Sequence, residues 1–307
     1  MRKVLVNDEL ESLFQKQGYV KIPFISAKEV TELKQMFFDT LPESGGQITS
    51  SDINADEEHL ISYDFTFIDK NSDYKRKVFE IIKEYFKPHM ENLLLDYRPI
   101  IANYIRKKPN TGEVPLHQNW AFADEQKCTT ISIWCPLVDS TIENGTLQVV
   151  PGSHKKFGEI RGPMIPWELD GMKNDIINKH LVPIETKAGD CIILDDSILH
   201  YSPINYTNEL RLAIQLICIP KEFPSIHYHM DPATSNTEVN VLEVSDDFYM
   251  EFNPWKKPEG QKIVKKIKYN HSNINEAEYS KRMLAPAFDK KVKGLLSKLK
   301  QVFTQNG

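Results

Sequence analysis

The sequence has no pair of cysteines at C-x-x-C spacing, although its 307 residues include 4 cysteines. These cysteines lie in or beside apolar runs, so we expect buried free thiols and no zinc site. A run of about 18 apolar residues, the length that a membrane span needs, is also missing. Residues 1–8 lack the apolar core and the small-residue cleavage site of a signal peptide. Together these absences predict a cytoplasmic protein.

Negative charge dominates most of the chain but not its end. The net charge at pH 7 is -5. Residues 256–307 contain 13 Lys and Arg against 4 Asp and Glu, a net charge of +9, whereas the other 255 residues carry a net charge of -14. We therefore expect the end of the chain to dock on the acidic body or to meet an acidic partner. We predict a main domain at 1–255, a basic helical extension at 256–307, and no nucleic-acid partner.

Helical signals are concentrated in the first third of the chain. Residues 10–17 predict a short helix that Gly18 ends. Ser26-Ala-Lys-Glu29 is a capping box that opens a second helix. A third, amphipathic helix is predicted at 73–86, with its end before Pro88.

From residue 99 onward, β-like patterns replace the helical ones. Runs rich in β-branched residues, separated by Gly, Pro and Asn turns, occur at 100–106, 129–134, 146–150, 181–186, 191–194 and 211–219. Several short strands of this kind indicate a barrel or a jelly roll. We therefore predict a mainly β fold with flanking helices, namely a double-stranded β-helix (jelly roll, cupin-like).

Two histidines and one arginine stand out within this β region. His117 and His200 lie 83 residues apart, each beside an apolar run, and Arg211 follows 11 residues after His200. Non-haem Fe(II) oxygenases need two imidazoles and a carboxylate on one face of the metal, with the opposite positions open for cosubstrate and O₂. The usual order is His-x-Asp, whereas this chain has Asn119 as the third residue. A lone histidine on a strand is usually structural, so these two gain weight only from their companions.

A series of motifs runs in order through residues 99–220. It consists of Pro115-Leu-His117-Gln118, Trp134, Glu143-Asn-Gly145-Thr-Leu147, Pro151-Gly-Ser-His154, Gly189-Asp190, His200-Tyr-Ser202 and Arg211. The series resembles the phytanoyl-CoA 2-hydroxylase family of Fe(II)/2-oxoglutarate-dependent oxygenases. The resemblance implies Fe(II) as the cofactor and 2-oxoglutarate and O₂ as cosubstrates. It also implies a small-molecule substrate, either free or linked to a carrier or to CoA.

The resemblance assigns the metal to His117, Asn119 and His200, with the imidazoles supplied by two strands that face each other in the barrel. Asn119 leaves three outcomes open, because an amide oxygen is neutral and a poorer ligand than a carboxylate. In the first outcome Asn119 ligates the metal and hydroxylation persists, which is our main prediction. In the second it leaves a vacant position for a halide, as in the related halogenases, which carry Gly or Ala there. In the third the protein binds metal and 2-oxoglutarate without oxidising a substrate.

The resemblance also implies a pocket for 2-oxoglutarate. Arg211 would bind the distal carboxylate with its planar fork, and Ser202 would assist. Trp134 would form the aromatic wall of the pocket, and Lys107 would add a second cation. Three of these residues have a plain alternative: a surface ion pair for Arg211, a core side chain for Trp134 and a solvated side chain for Lys107.

A literal His-x-Asp, His229-Met-Asp231, follows the last predicted barrel strand, with His227 just before it. It lies between two prolines and lacks the motif context, so we interpret it as a loop cluster and not as the metal site. Substrate contact or adventitious metal binding stays open for it.

The end of the chain contains one further helical pattern, at residues 288–303. Its apolar residues fall on one face, with lysines around the others. One interpretation is a terminal helix that packs its apolar face on the body. The other is peripheral contact of this C-terminal helix with an anionic surface, either a membrane or an acidic carrier protein.

Overall fold

The computed structural model describes residues 2–41, 64–253 and 256–285. Its α-helices are α1 (Asp8–Gln17), α2 (Ala27–Thr40), α3 (Ser72–Leu93), α4 (Lys173–Lys179), α5 (Phe248–Glu251) and α6 (Glu276–Leu284). Its strands are β1 (Tyr19–Pro23), β2 (Asp64–Phe65), β3 (Tyr97–Lys107), β4 (Val114–His117), β5 (Ile131–Pro136), β6 (Gln148–Val149), β7 (Val182–Pro183), β8 (Asp190–Asp195), β9 (His200–Ser202), β10 (Arg211–Pro220), β11 (Ile226–His229), β12 (Glu238–Glu243) and β13 (Lys262–Lys268).

The described strands form three antiparallel sheets. The large sheet has the order β1-β8-β5-β10-β3-β2, the second has the order β4-β9-β6-β7, and the third has the order β11-β12-β13. The first two sheets enclose a cavity, because residues from both of them line it. This arrangement is a jelly roll, and the predicted fold class, mainly β with flanking helices, is confirmed.

The large sheet is buried on both faces. In β5, Ile131, Ile133 and Cys135 belong to the core shared with the helices, whereas Ser132 and Trp134 line the cavity. In β10 the members of that core are Leu212, Ile214, Leu216 and Cys218, and the residues that line the cavity are Arg211, Gln215 and Ile217. Successive side chains of a strand point to opposite faces. One face therefore carries helices and the other carries the candidate site.

Helices α1 and α2 follow their sequence signals. The Ser26 side chain accepts a hydrogen bond from the backbone N–H of Glu29, and the Glu29 side chain accepts one from the backbone N–H of Ser26. The predicted capping box is thus confirmed. Gly18 ends α1 with a φ of 84°, a left-handed conformation that favours glycine.

Helix α3 does not end before Pro88, as predicted, but continues to Leu93. Pro88 removes one backbone donor from the helix. The last turns nevertheless keep Met90 in the core shared with the large sheet, and this packing supports the continuation. None of the described helices combines the length and the hydrophobicity that crossing a membrane requires.

Residues 256–285 pack on the rest of the structure and are only partly helical. Strand β13 pairs with β12. In α6, the ring of Tyr279 stacks on that of Phe157 with centroids 5.4 Å apart, and Arg282 forms a salt bridge of 2.9 Å with Glu168. The division of the chain at residue 256 stays a prediction. The helix predicted at 288–303 lies outside the described residues.

Candidate active site

A cavity of about 310 Å³ lies between the large sheet and the second sheet. Of the seven residues predicted for the site, those that line it are His117, Asn119, Trp134, His200, Ser202 and Arg211. Lys107 is the exception. The structure therefore brings together residues that are far apart in the chain.

His117 and His200 are direct partners in the antiparallel pairing of β4 with β9. Cross-strand partners project on the same side of a sheet, and the two rings have centroids 4.1 Å apart. The prediction that the two strands face each other across the barrel is wrong, because β4 and β9 are neighbours in one sheet. Facing sheets lie about 10 Å apart, so the neighbouring arrangement brings both rings more easily to one ion.

The backbone holds both imidazoles in the same tautomer. Nδ1 of His117 lies 2.7 Å from the carbonyl oxygen of Pro115, and Nδ1 of His200 lies 2.9 Å from that of Ile198. A carbonyl oxygen only accepts, so each Nδ1 carries the proton and each Nε2 keeps its lone pair. Burial lowers the pKa of both rings, which favours the neutral imidazole that a metal needs.

Asn119 is fixed through its amide nitrogen. Nδ2 donates to Oδ1 of Asp196 at 2.8 Å and to Oγ of Ser132 at 3.0 Å. Oγ of Ser132 in turn donates to the same Asp196 oxygen at 2.6 Å. The Asn119 side chain lies beside His117. The described residues contain no group of three His, Cys, Asp or Glu side chains that could hold a metal, so the candidate ligands are two imidazoles and an amide oxygen.

Asp196 is a buried carboxylate with an unused oxygen. It is 0% exposed, and its Oδ2 has no hydrogen-bond partner within the described residues. Burial raises the pKa of Asp196 to about 7, against hydrogen bonds from Ser132, Asn119 and Thr130 that lower it. Two other buried carboxylates nearby are paired, Glu125 with Arg161 at 2.7 Å and Asp195 with Lys155 at 3.2 Å.

Arg211 lies in the cavity wall without an acidic partner. It is 2% exposed and forms no salt bridge with any residue that the structure describes, so the alternative of a surface ion pair is wrong. Its Nη2 donates to Oγ of Ser202 at 3.0 Å and to the carbonyl oxygen of Gly145 at 3.3 Å, whereas Nε and Nη1 have no partner in the part of the chain that the structure describes. The guanidinium carbon lies 5.5 Å from the centre of the Trp134 ring. Burial lowers the pKa of Arg211 to about 9.

Lys107 is buried beside Ser202 and is absent from the cavity wall. Its Nζ donates to the carbonyl oxygens of Ser202 at 3.1 Å and Pro203 at 2.6 Å, and to Oγ of Ser202. Burial, and to a smaller extent the charge of Arg211, lowers the pKa of Lys107 to about 5. The alternative of a solvated side chain is wrong, because Lys107 is 0% exposed. Lys107 therefore holds Ser202, which in turn contacts Arg211.

Aromatic and aliphatic side chains line the rest of the cavity, among them Phe65, Phe67, Ile68, Trp120 and Phe122. Phe67 is held in place by the wall, because its backbone N–H donates to Oδ1 of Asn103 at 2.8 Å. The rings of Phe67 and Trp120 are in edge contact, with centroids 5.8 Å apart.

The literal His-x-Asp lies elsewhere. His227 and His229 belong to β11, so the prediction of a loop cluster is wrong. Neither residue lines the cavity that contains His117 and His200. Asp231 forms a salt bridge of 2.7 Å with Lys257.

A comparison with protein families agrees with this geometry. The family model described as phytanoyl-CoA dioxygenase (PhyH) matches residues 14–213, more than half of the chain. The chain belongs to the phytanoyl-CoA dioxygenase family. All seven residues predicted for the site fall inside the part that matches the family. Members of the family use Fe(II), 2-oxoglutarate and O₂.

Two relatives illustrate the extent of the similarity. The phytanoyl-CoA dioxygenase domain-containing protein 1 homolog of Dictyostelium discoideum is 38% identical over 112 residues, which cover 34% of this chain and 40% of the relative. The phytanoyl-CoA dioxygenase of Arabidopsis thaliana is 36% identical over 129 residues, covering 39% of this chain and 44% of the relative. The chain thus spans less than half the length of these relatives.

A solved structure supports the fold. The non-haem alpha ketoglutarate dependent carbocyclase SnoK from nogalamycin biosynthesis has a TM-score of 0.53 and 19% sequence identity to this chain. The likeness covers 72% of this chain and 86% of the other. At this identity it supports the jelly roll of this phytanoyl-CoA dioxygenase family member and nothing further.

Sequence reasoning missed Asp196 and Ser132. The available signal for Asp196 was an adjacent acidic pair, Asp195 and Asp196, directly after an apolar run and shortly before His200. Charged residues are rarely buried without a partner, so acids at such a position indicate a role. Ser132 lies two residues before Trp134, which places both on one face of the strand.

Proposed function

We propose that this member of the phytanoyl-CoA dioxygenase family is an Fe(II)/2-oxoglutarate-dependent oxygenase that hydroxylates a small molecule, either free or linked to a carrier or to CoA. The observation that supports it most is the content of one cavity. That cavity is lined by two histidines with free Nε2 atoms and by a buried arginine without an acidic partner. The two histidines suit a metal ion, and the arginine suits a carboxylate.

The metal would be held by Nε2 of His117, Nε2 of His200 and Oδ1 of Asn119. The imidazoles fit because their Nδ1 protons are committed to backbone carbonyls, which fixes the orientation of a ligating ring. The amide fits because its nitrogen is committed to Asp196 and Ser132. With neutral ligands only, the metal keeps a charge near +2. That charge favours binding of an anionic cosubstrate.

The 2-oxoglutarate would be held by Arg211 and Ser202. Among the described residues, Nε and Nη1 of Arg211 have no hydrogen-bond partner, and a guanidinium offers parallel donors that match a carboxylate. Oγ of Ser202 touches the same guanidinium, and the Trp134 ring covers it. The contacts of Lys107 favour a supporting role, because its Nζ binds Ser202 and Pro203 and does not line the cavity.

When bound, Fe(II) with 2-oxoglutarate and O₂ supplies the oxidising chemistry of the reaction. The chain itself would orient and shield the reactants. Arg211 would set the direction of 2-oxoglutarate, while the apolar wall formed by Phe67, Trp120 and Phe122 would exclude water and receive an apolar part of the substrate.

Two alternatives follow from Asn119. Halogenation needs a vacant ligand position, and the Asn119 side chain beside His117 disfavours it because its amide oxygen could fill that position. A non-catalytic protein that binds metal and 2-oxoglutarate is favoured by the missing carboxylate. A cytoplasmic location and contact of the 288–303 helix with an anionic surface remain predictions.

Formation of succinate from 2-oxoglutarate with Fe(II) and O₂ tests the proposal. We expect turnover by the wild type and by Asn119→Asp, since a carboxylate is the usual ligand at this position. Asn103→Asp is a matched control, because it makes the same change elsewhere on the cavity wall. An inactive wild type beside an active Asn119→Asp would favour the non-catalytic alternative. Inactivity of both would refute the proposed enzyme.

A further inference from the structure

The metal site proposed above lacks the carboxylate ligand that usually compensates the charge of the metal. The carboxylate of Asp196, however, contacts the proposed ligand Asn119 directly. Oδ1 of Asp196 accepts hydrogen bonds from Nδ2 of Asn119 at 2.8 Å and from Oγ of Ser132 at 2.6 Å. All three side chains are buried. The two contacts therefore form in the absence of competing solvent.

The contact with Asp196 determines which atom of Asn119 faces the histidines. Oδ1 of Asp196 already accepts a hydrogen bond from Oγ of Ser132, so the amide atom that touches this acceptor is the nitrogen. The second amide proton is directed to Oγ of Ser132 at 3.0 Å. Both donors of Asn119 are thereby used, and Oδ1 is left for the side of the amide where His117 lies. A ligand atom with a lone pair thus faces the candidate metal position.

Three buried carboxylates, Glu125, Asp195 and Asp196, share the two buried cations Arg161 and Lys155. Glu125 is paired with Arg161, and Asp195 is paired with Lys155. Within the described residues, Asp196 has no salt bridge and its Oδ2 has no hydrogen-bond partner. Burying a carboxylate without a cation is costly. A divalent metal held by Asn119 would provide the missing positive charge.

We propose that Asp196 is the positioning residue that replaces the absent carboxylate ligand, by fixing Asn119 with Oδ1 toward the metal and by supplying negative charge through the Asn119 amide. The inference rests on the metal-dependent function proposed above. It assigns to an Asp–Asn pair the two tasks that a single Asp ligand performs, namely donation of an oxygen atom and compensation of charge. Ser132 completes the pair by bridging the two side chains.

Binding of Co(II) to the full-length protein, measured by calorimetry, tests the inference without depending on activity. Asp196→Asn keeps the size and an acceptor oxygen but removes the charge, so the fold should persist. We expect Co(II) affinity to fall about 10–100-fold, the usual effect of losing a group that supports a metal ligand. Asp190→Asn is the matched control, because Asp190 begins β8, the strand that Asp196 directly follows, and does not line the cavity. It should leave the affinity unchanged.

A double-mutant cycle distinguishes this role from a structural one. If Asp196 acts through Asn119, then Asp196→Asn should change Co(II) affinity by less than about 3-fold in the Asn119→Ala background, because residues that share an interaction are not additive. An equal loss in both backgrounds would overturn the inference. The melting temperature of the metal-free protein reports separately on any structural effect.

The outcomes separate the two proposals. Wild-type protein that does not bind Co(II) would overturn the metal-dependent function. Wild type that binds Co(II), with Asp196→Asn binding equally well, would overturn the role of Asp196 alone. Should Asp196→Asn fail to fold, Asp196→Ser replaces it in the same cycle, because it also removes the carboxylate. Full affinity in that variant would contradict the inference.

Discussion

His117 and His200 are directly opposite each other on the neighbouring strands β4 and β9, with ring centroids 4.1 Å apart. Each ring is held by the carbonyl oxygen of the residue two positions before it. The same local geometry therefore occurs twice, and the antiparallel pairing of the strands brings the two copies together. The resulting pair of Nε2 atoms provides two of the three ligands of the proposed metal site.

The first prediction concerns these two histidines. Replacing either by alanine should weaken Co(II) binding by more than the roughly 10–100-fold typical of losing a group that only supports a ligand, because a ligand itself is removed. Calorimetry on the full-length protein measures the effect. His89→Ala is a suitable control, because His89 pairs with Glu29 on the helices at 2.7 Å and is outside the cavity. Unchanged affinity in His117→Ala or His200→Ala would place the metal elsewhere.

The second prediction concerns the contribution of the buried Glu125–Arg161 pair to the stability of the fold. Arg161 donates to both carboxylate oxygens of Glu125 and, through Nε, to the carbonyl oxygen of Asn119 at 2.7 Å. Both partners are buried, so Glu125→Ala leaves an uncompensated cation and should lower the free energy of unfolding by about 3–5 kcal/mol. Urea denaturation measures this change.

An exposed pair provides the comparison for Glu125→Ala. Asp139 and Lys187 form a salt bridge of 2.7 Å, but their side chains are 51% and 79% exposed. Solvent screens such pairs strongly, so Asp139→Ala should have little effect on the urea midpoint. Equal destabilisation by the two variants would show that the buried pair does not support the fold more than a surface pair does.

The β architecture could be predicted because the large sheet is buried on both faces. Ile131, Ile133 and Cys135 alternate with Ser132 and Trp134, and both sets avoid solvent, so the strand has an apolar, β-branched character that is visible without knowing its partners. Pairing is different. Nothing local in His117 indicates that its strand lies beside that of His200, since the two are 83 residues apart, and we expected opposed strands.

Buried charge was the other point that local patterns did not reveal. Lys107 was predicted as a possible second cation for the cosubstrate, whereas its contacts are with Ser202 and Pro203. Asp196 was not predicted at all, because its role depends on the amide of Asn119, which follows β4, whereas Asp196 follows β8. Pro88 failed as a helix end for a related reason, since tertiary packing of Met90 outweighs one missing hydrogen bond. In each case a long-range contact decided the outcome.

The central claim is that one cavity binds a metal at the histidines and 2-oxoglutarate at Arg211. Anaerobic calorimetry of 2-oxoglutarate with the Fe(II)-loaded protein tests it most directly. We predict one binding site that needs the metal, and a loss of about 2–5 kcal/mol of binding free energy in Arg211→Ala, the cost of removing one partner of a buried charge pair. Arg76→Ala, which alters an arginine on α3 outside the cavity, should bind as the wild type does. Equal affinity in Arg211→Ala and the wild type, or no binding by the wild type, would contradict the account.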